Sequence, residues 1–287
     1  MPWLFIAPAL ILIFVFYIYP IFQTVLISFK DYNILNPNAD KFVGISNFKR
    51  MLDDSVLAMS VKNTVIYVVV SLILQFVLGF MLALLLWKNF KGRGVYQALV
   101  FVPWAVAGFL IGIMFRWMFN AQYGVFSDLL SRLGFMTSGM SVLSNPQTAL
   151  WGPIIGCVWY GVPYFAIMLL SALQGVSNET IEAAHMDGAG PISRLFKVII
   201  PAIKPTILIT LLLRVIWVFN SADIIFVMTN GGPVNASHTV ASYLFQLAYT
   251  KHDYSLVCAV SLTIMIVLMI YSMIYLKVTK FEEAGEV

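Results

Sequence analysis

Charge is scarce in this chain. Asp, Glu, Lys and Arg together make up 10% of its 287 residues, against 61% hydrophobic ones, and mean hydropathy is +0.90. So few charges cannot solvate the surface of a water-soluble domain, which excludes that class and makes the bilayer the expected solvent. Cysteine is nearly absent as well: Cys157 and Cys258 are isolated in apolar runs, cannot form a metal site by spacing, and read as small buried side chains. His185, His238 and His252 lack zinc spacing, and no Ser, His and acid arrangement rises above scattered loop residues. No GxxxxGK[ST] or GxGxxG loop follows a strand, and no strand-helix alternation is visible, so any ATP is expected to be hydrolysed by a partner. The net charge of +4 says nothing of nucleic acid.

Long uncharged runs are what the sequence has instead. They cover 1–29, 63–87, 94–115, 133–178 and 254–276, and each exceeds the ~20 helical residues needed to cross a hydrocarbon core of ~30 Å. A further run, 206–228, is apolar apart from Arg214 and Asp223. The 133–178 run is too long for one crossing, but Thr137, Ser138, Ser141, Ser144, Asn145 and Pro146 make its first part turn-rich, so its helix is expected from about Thr148. The fold class is therefore an all-α polytopic membrane protein, a single transmembrane domain over 1–287 with six spans: 3–28, 63–87, 95–119, 148–174, 206–228 and 254–277.

Six spans put both termini on one side. The segment Lys88-Asn89-Phe90-Lys91-Gly92-Arg93 carries three bases and no acid, which marks that side as cytoplasmic. Arg194, Lys197, Lys204, Lys277 and Lys280 then lie inside, and the longer 29–62 segment outside. Residues 1–28 lack a basic start and are interrupted by Pro2, Pro8 and Pro20, so they are read as an uncleaved span and not as a signal peptide.

Between the fourth and fifth spans lies a charged, turn-broken stretch, 177–204. Ser177 or Asn178 can cap a first helix, with Glu179 in its first turn. Ala183, Ala184 and Gly188 keep that helix's surface small; Gly188 and Gly190 end it, and Pro191 suits the first turn of the next. In the second helix Ile192, Leu195, Phe196 and Ile199 recur on one face, with Arg194 and Lys197 off it. An amphipathic hairpin lying on the membrane would share this pattern.

The order Glu182-Ala183-Ala184, Asp187-Gly188 and Pro201, with Leu173-Gln174 ahead, resembles the coupling (EAA) loop of bacterial ATP-binding-cassette importer permeases. Other matching pieces run nearly end to end: Tyr19-Pro20, Val43-Gly44 with Asn47-Phe48, Arg93-Gly94, Pro103-Trp104, Trp117 with Phe119-Asn120, Trp159 with Gly161 and Pro163, and Thr229-Asn230-Gly231-Gly232-Pro233. The chain is thereby identified as resembling the carbohydrate-uptake (maltose-type, sugar and glycerol-phosphate) permeases, with the importer type I fold. The resemblance implies residence in the bacterial cytoplasmic membrane, a second related permease, two ATPase subunits that bind ATP and Mg in place of any cofactor here, and an extracytoplasmic solute-binding protein. It also implies that Glu182, Ala183, Ala184, Asp187, Gly188 and Pro201 form the docking loop. Where that loop usually ends Ile-x-Leu-Pro, this chain has Val198-Ile199-Ile200-Pro201, which keeps the apolar bulk.

Two polar stripes are candidates for the substrate pathway. Thr210, Arg214, Trp217 and Ser221 fall at i, i+4, i+7 and i+11, with Val218 beside them. Cys157, Tyr160, Gly161 and Tyr164 repeat at i, i+3, i+4 and i+7, and Gly161 with Pro163 should bend that helix. Both resemble the segments that contact sugar in the maltose-type permeases, yet aromatics at this spacing also suit plain packing between helices. Asp223 is expected on another face with Asn220, in a buried pairing or hinge bond, and Gly231, Gly232 and Pro233 are read as structural. Arg116 is expected to snorkel. An ion-gradient-driven secondary transporter is the alternative; it would need repeated halves and midplane acids, and only Asp223 is an acid within a span. An intramembrane enzyme would need paired acids or metal ligands, which are not seen.

Overall fold

A chain immersed in hydrocarbon must satisfy its backbone internally, and helices dominate for that reason. The computed structural model describes residues 2–32, 34, 40–135, 137 and 139–279; Ser138 and Lys280, named above, lie outside them. Five of the described helices are long and apolar enough to span a membrane, and a sixth crossing results if one sharply bent pair counts as one.

The described residues of 1–61 with 243–271 form one compact unit, and those of 62–242 with 272–287 another. In the first, α1 (Pro2–Ile13) and α2 (Tyr19–Ser28) are joined by a π-helical turn, Phe14–Ile18. A short hairpin pairs β1 (Lys30–Asp31) with β2 (Lys41–Phe42), and α3 (Ser46–Asp53) follows. Asn47 explains why the Asn47-Phe48 pair is useful: its amide donates to the carbonyls of Ser28 at 2.9 Å and Lys30 at 2.8 Å, satisfying the C-terminal end of α2. The Phe48 ring meets that of Phe29 at a tilt of 47°, with centroids 5.4 Å apart.

Within this unit, polar pairs tie its N-terminal segment to 243–271. Arg50 meets Asp253 at 2.5 Å, the Tyr32 amide donates to Ser255 Oγ at 2.7 Å, and the Tyr243 hydroxyl donates to Asp54 Oδ2 at 2.6 Å. Asp54 also accepts from the amides of Val56 and Leu57, capping α4 (Ser55–Trp87). That cap starts the helix eight residues ahead of the expected boundary at 63; Lys62 does not interrupt it.

The second unit holds the apolar core, with Tyr67, Ile111, Ile154, Phe165, Leu169 and Leu173 fully buried. Its helices are α5 (Arg93–Ala105), α6 (Gly108–Met118), α7 (Val125–Arg132), α8 (Trp151–Gln174), α9 (Asn178–Met186), α10 (Pro191–Arg194), α11 (Ile200–Ala202), α12 (Lys204–Asn220) and α13 (Asp223–Met228). Helices α14 (Val240–Tyr249) and α15 (Tyr254–Thr279) complete the chain. The expected span 95–119 falls on α5 and α6, which meet at 93°. Pro103 removes a backbone donor near the end of α5, Val106 and Ala107 turn extended, and α6 restarts at Gly108. The expected 206–228 span is likewise interrupted at Ser221-Ala222, between α12 and α13. Helix α6 lies against α13 and α8, and α8 against α5, α12 and α13, so the unit is built around α8.

Candidate functional site

Helices α8 and α12 bring the two polar stripes to one place. A cavity of about 180 Å³ is lined by Cys157 and Tyr160 of α8, by Arg214, Trp217 and Val218 of α12, and by Ser221, Asp223 and Ile224 at the break. Tyr164 is buried behind it and meets the half-exposed Trp217 ring at 5.3 Å. The guanidinium of buried Arg214 lies over Tyr160 at 5.5 Å and over Tyr164 at 5.4 Å. Thr210, also on the stripe, donates to the Thr206 carbonyl one turn back and stays out of the cavity wall.

Gly161 takes no part in the wall, but it sets what the wall can be. A Cβ there would stand 2.2 Å from Gln75 Cδ and 2.3 Å from an Arg214 terminal nitrogen. Its missing side chain lets Gln75 of α4 enter between α8 and α12. Buried Gln75 accepts from Arg214 Nε at 2.8 Å and donates to the Cys157 carbonyl at 2.9 Å and to Cys157 Sγ at 3.3 Å. The sequence reading passed over Gln75; its one signal was an uncharged polar residue midway along an apolar span, where an unpaired amide is costly.

Asp223 is not on a separate face, as expected. Because α12 stops at Asn220, the chain re-aims and Asp223 opens α13 while facing the same cavity. The helix N-terminus suits its charge, and Ser221 donates to its Oδ1 at 3.0 Å. Its Oδ2 sits against Gly108, where a Cβ would approach to 1.9 Å, so the bend in the third span and the break in the fifth meet here. Asn220 instead donates to the Ile216 carbonyl at 2.8 Å. Arg116 does not merely snorkel: it donates to the Val227 carbonyl at 3.2 Å.

In the 177–204 stretch, Ser177 caps α9 through the Thr180 amide at 3.2 Å, and Gly188 ends it with φ +77°, a conformation that disfavours a β-carbon. Glu182, Ala183, Asp187 and Pro201 are exposed and Ala184 half-exposed. The apolar face expected of the second helix is split. A π-helical turn, Leu195–Ile199, shifts its register, so Ile199 is buried while Ile192 and Phe196 stay 75% and 63% exposed.

The family described as binding-protein-dependent transport system inner membrane component matches residues 75–279. The chain belongs to that permease family. The trehalose/maltose transport system permease protein MalF of Thermococcus litoralis is 34% identical to this permease over 279 residues, 97% of this chain and 93% of the relative. The sulfoquinovosyl glycerol transport system permease protein SmoG of Agrobacterium fabrum is 30% identical over 280 residues, covering 98% and 90%. A chain from the crystal structure of a bacterial ABC transporter involved in import of the acidic polysaccharide alginate superposes with a TM-score of 0.82, covering 97% of this chain and 95% of that chain at 19% identity. The permease therefore has the importer permease fold and is a multi-pass inner-membrane component. The ion-gradient alternative is set aside by the family.

The Gly231-Gly232-Pro233 turn of the permease has a structural setting. Gly231 adopts φ +78°, and a Cβ there would stand 2.0 Å from the buried His238 ring. Asn63 donates to the carbonyls of Ala236 and His238, and Thr64 accepts from the Val240 amide at 2.8 Å. Asn63 and Thr64 were also missed; they read as the polar start of a span.

Proposed function

We propose that this permease forms half of the translocation pathway of an ATP-driven carbohydrate importer and that its α8–α12 cavity contacts the passing solute. One observation carries the reading: Tyr160 of α8, Arg214 and Trp217 of α12, and Ser221 and Asp223 at the break after it converge on one cavity that offers an aromatic face and both donors and acceptors. A sugar ring has that mixture of apolar faces and hydroxyls. The carbohydrate relatives support the class, since two of them carry sugars or sugar glycerols by name.

The other half of the pathway is assigned to a second related permease, and energy to two ATP-binding-cassette subunits that hold ATP and Mg. A solute-binding protein delivers the sugar from outside, and both termini face the cytoplasm. Glu182, Ala183, Ala184, Asp187, Gly188 and Pro201 dock on the ATPase. Closure of the ATPase pair on ATP would move the 177–204 loop, and with it α8 and α12 at its two ends, opening the cavity outward. Hydrolysis would reset it.

The test is uptake by the assembled complex in proteoliposomes, with the loaded binding protein outside. Trp217→Ala removes an aromatic face worth about 1 kcal/mol, so sugar affinity at the pore should fall about fivefold, read as a raised KM with assembly intact. Unchanged uptake kinetics for both Trp217→Ala and Ser221→Ala would refute contact at this cavity.

A further inference from the structure

Away from the cavity, a groove of about 540 Å³ runs between the last turns of α4 and the 177–204 loop. One wall is Met81, Leu84 and Leu85; the other includes Leu195 and Ile199. Met81 and Leu85 are 56% and 58% exposed, on a helix of membrane-spanning length that ends at Trp87. Aromatic residues of this kind mark the level of the lipid headgroups.

Two cations, Lys88 and Arg194, line the same groove, and among the described residues no acid does. Arg194 Nε is buried without a hydrogen-bond partner among the described residues. A buried donor of this kind calls for an acceptor, whereas the walls call for hydrocarbon. The π-helical turn after Arg194 contributes to the shape: its extra residue brings Ile199 round to the side of Pro191 and Leu195.

We propose that this groove holds an anionic phospholipid, with an acyl chain along Met81, Leu84 and Leu85 and the phosphate between Lys88 and Arg194. Charge complementarity selects the occupant. A lipid reaches the groove along the exposed face of α4 without leaving the bilayer, and two cations without an acid favour a net-negative headgroup over one that carries its own cation. Because the groove joins the end of a span to the loop, the lipid would link bilayer composition to the loop's position.

The experiment uses the purified, assembled complex with phosphatidylglycerol and phosphatidylcholine of identical acyl chains, followed by native mass spectrometry. Phosphatidylglycerol should be retained preferentially, and each cation removed in Lys88→Gln and Arg194→Gln should weaken it about fivefold. Equal retention of the two lipids, or undiminished phosphatidylglycerol on the double variant, would overturn the proposal. Since losing two charges can impair assembly, a photoreactive residue replacing Leu85 in an otherwise unaltered complex gives an independent reading. In equimolar mixed-lipid vesicles, an adduct mainly with phosphatidylglycerol supports the site; an adduct with a protein chain, or with both lipids equally, rejects it.

Discussion

Gln75 acts on Arg214 from one side while the Tyr160 and Tyr164 rings act from the other. Gln75→Leu keeps the bulk and deletes the acceptor, leaving a buried cation short of a hydrogen bond worth about 1.5–3 kcal/mol. We expect a lower thermal midpoint and a transport KM raised about tenfold, with Gln75→Glu recovering part of the KM because it still accepts from Arg214. A stability loss with an unchanged KM would make Gln75 purely structural. Gly161→Ala puts a methyl 2.2 Å from Gln75 Cδ and should reproduce the Gln75→Leu transport defect in the same assay. At the other polar site, Asp54 is held below its ordinary pKa of 3.8: burial raises it, but the Tyr243 hydroxyl, the Leu57 and Val56 amides and the Lys251 charge together outweigh burial. A lowered folded pKa means that the bond network is fully stabilising above the unfolded value and is lost as pH falls through the folded one. The protection of amides at the start of α4 against hydrogen exchange, taken relative to the intrinsic rate at each pH, should therefore stay constant from neutrality to about pH 5 and fall below the ordinary carboxylate range; Asp54→Asn should show low protection at neutral pH that acid does not lower further.

Among the elements, the α9 hairpin was legible because its signals are local. A capping Ser177, glycines at 188 and 190 and Pro191 at a first turn each act on the adjacent backbone alone. The split of the second helix face was not legible, because α-helical spacing cannot foresee a π-helical turn. Exposed Ile192 and Phe196 now read as surface available to a partner. At Gly188, a β-branched residue at φ +77° costs about 1–2 kcal/mol, so Gly188→Val should distort the hairpin and abolish transport-coupled ATP hydrolysis while the chain still inserts. Normal coupling in that variant would count against docking through the loop. The 93° bend escaped the sequence reading for a different reason. Pro103 and Gly108 are visible, but a proline near a helix end need not break it; the acid that Gly108 accommodates, Asp223, lies more than a hundred residues downstream.

At the scale of the whole molecule, the least buried of the candidate spans is the first, whose apolar side chains from Leu10 to Ile18 are all exposed. A bilayer or a neighbouring subunit can satisfy such a surface; water cannot. Composition alone settles that much, since hydropathy sums over residues without reference to where they meet. Membrane class, approximate spans, loop chemistry and the pairing of residues one or two turns apart follow from the sequence by itself, because each depends on local backbone geometry and burial of side chains in sequence register. The cavity was half determined in the same way: periodicity put Tyr160 on one stripe and Arg214, Trp217 and Ser221 on another, but nothing in either stripe said that they face each other. Only the tertiary structure decided that meeting, brought in Gln75 from 139 residues before Arg214, and turned Asp223 into the wall. Those are choices among distant surfaces of similar apolar character, and in hydrocarbon they are made by small-residue gaps and buried hydrogen bonds rather than by hydrophobicity.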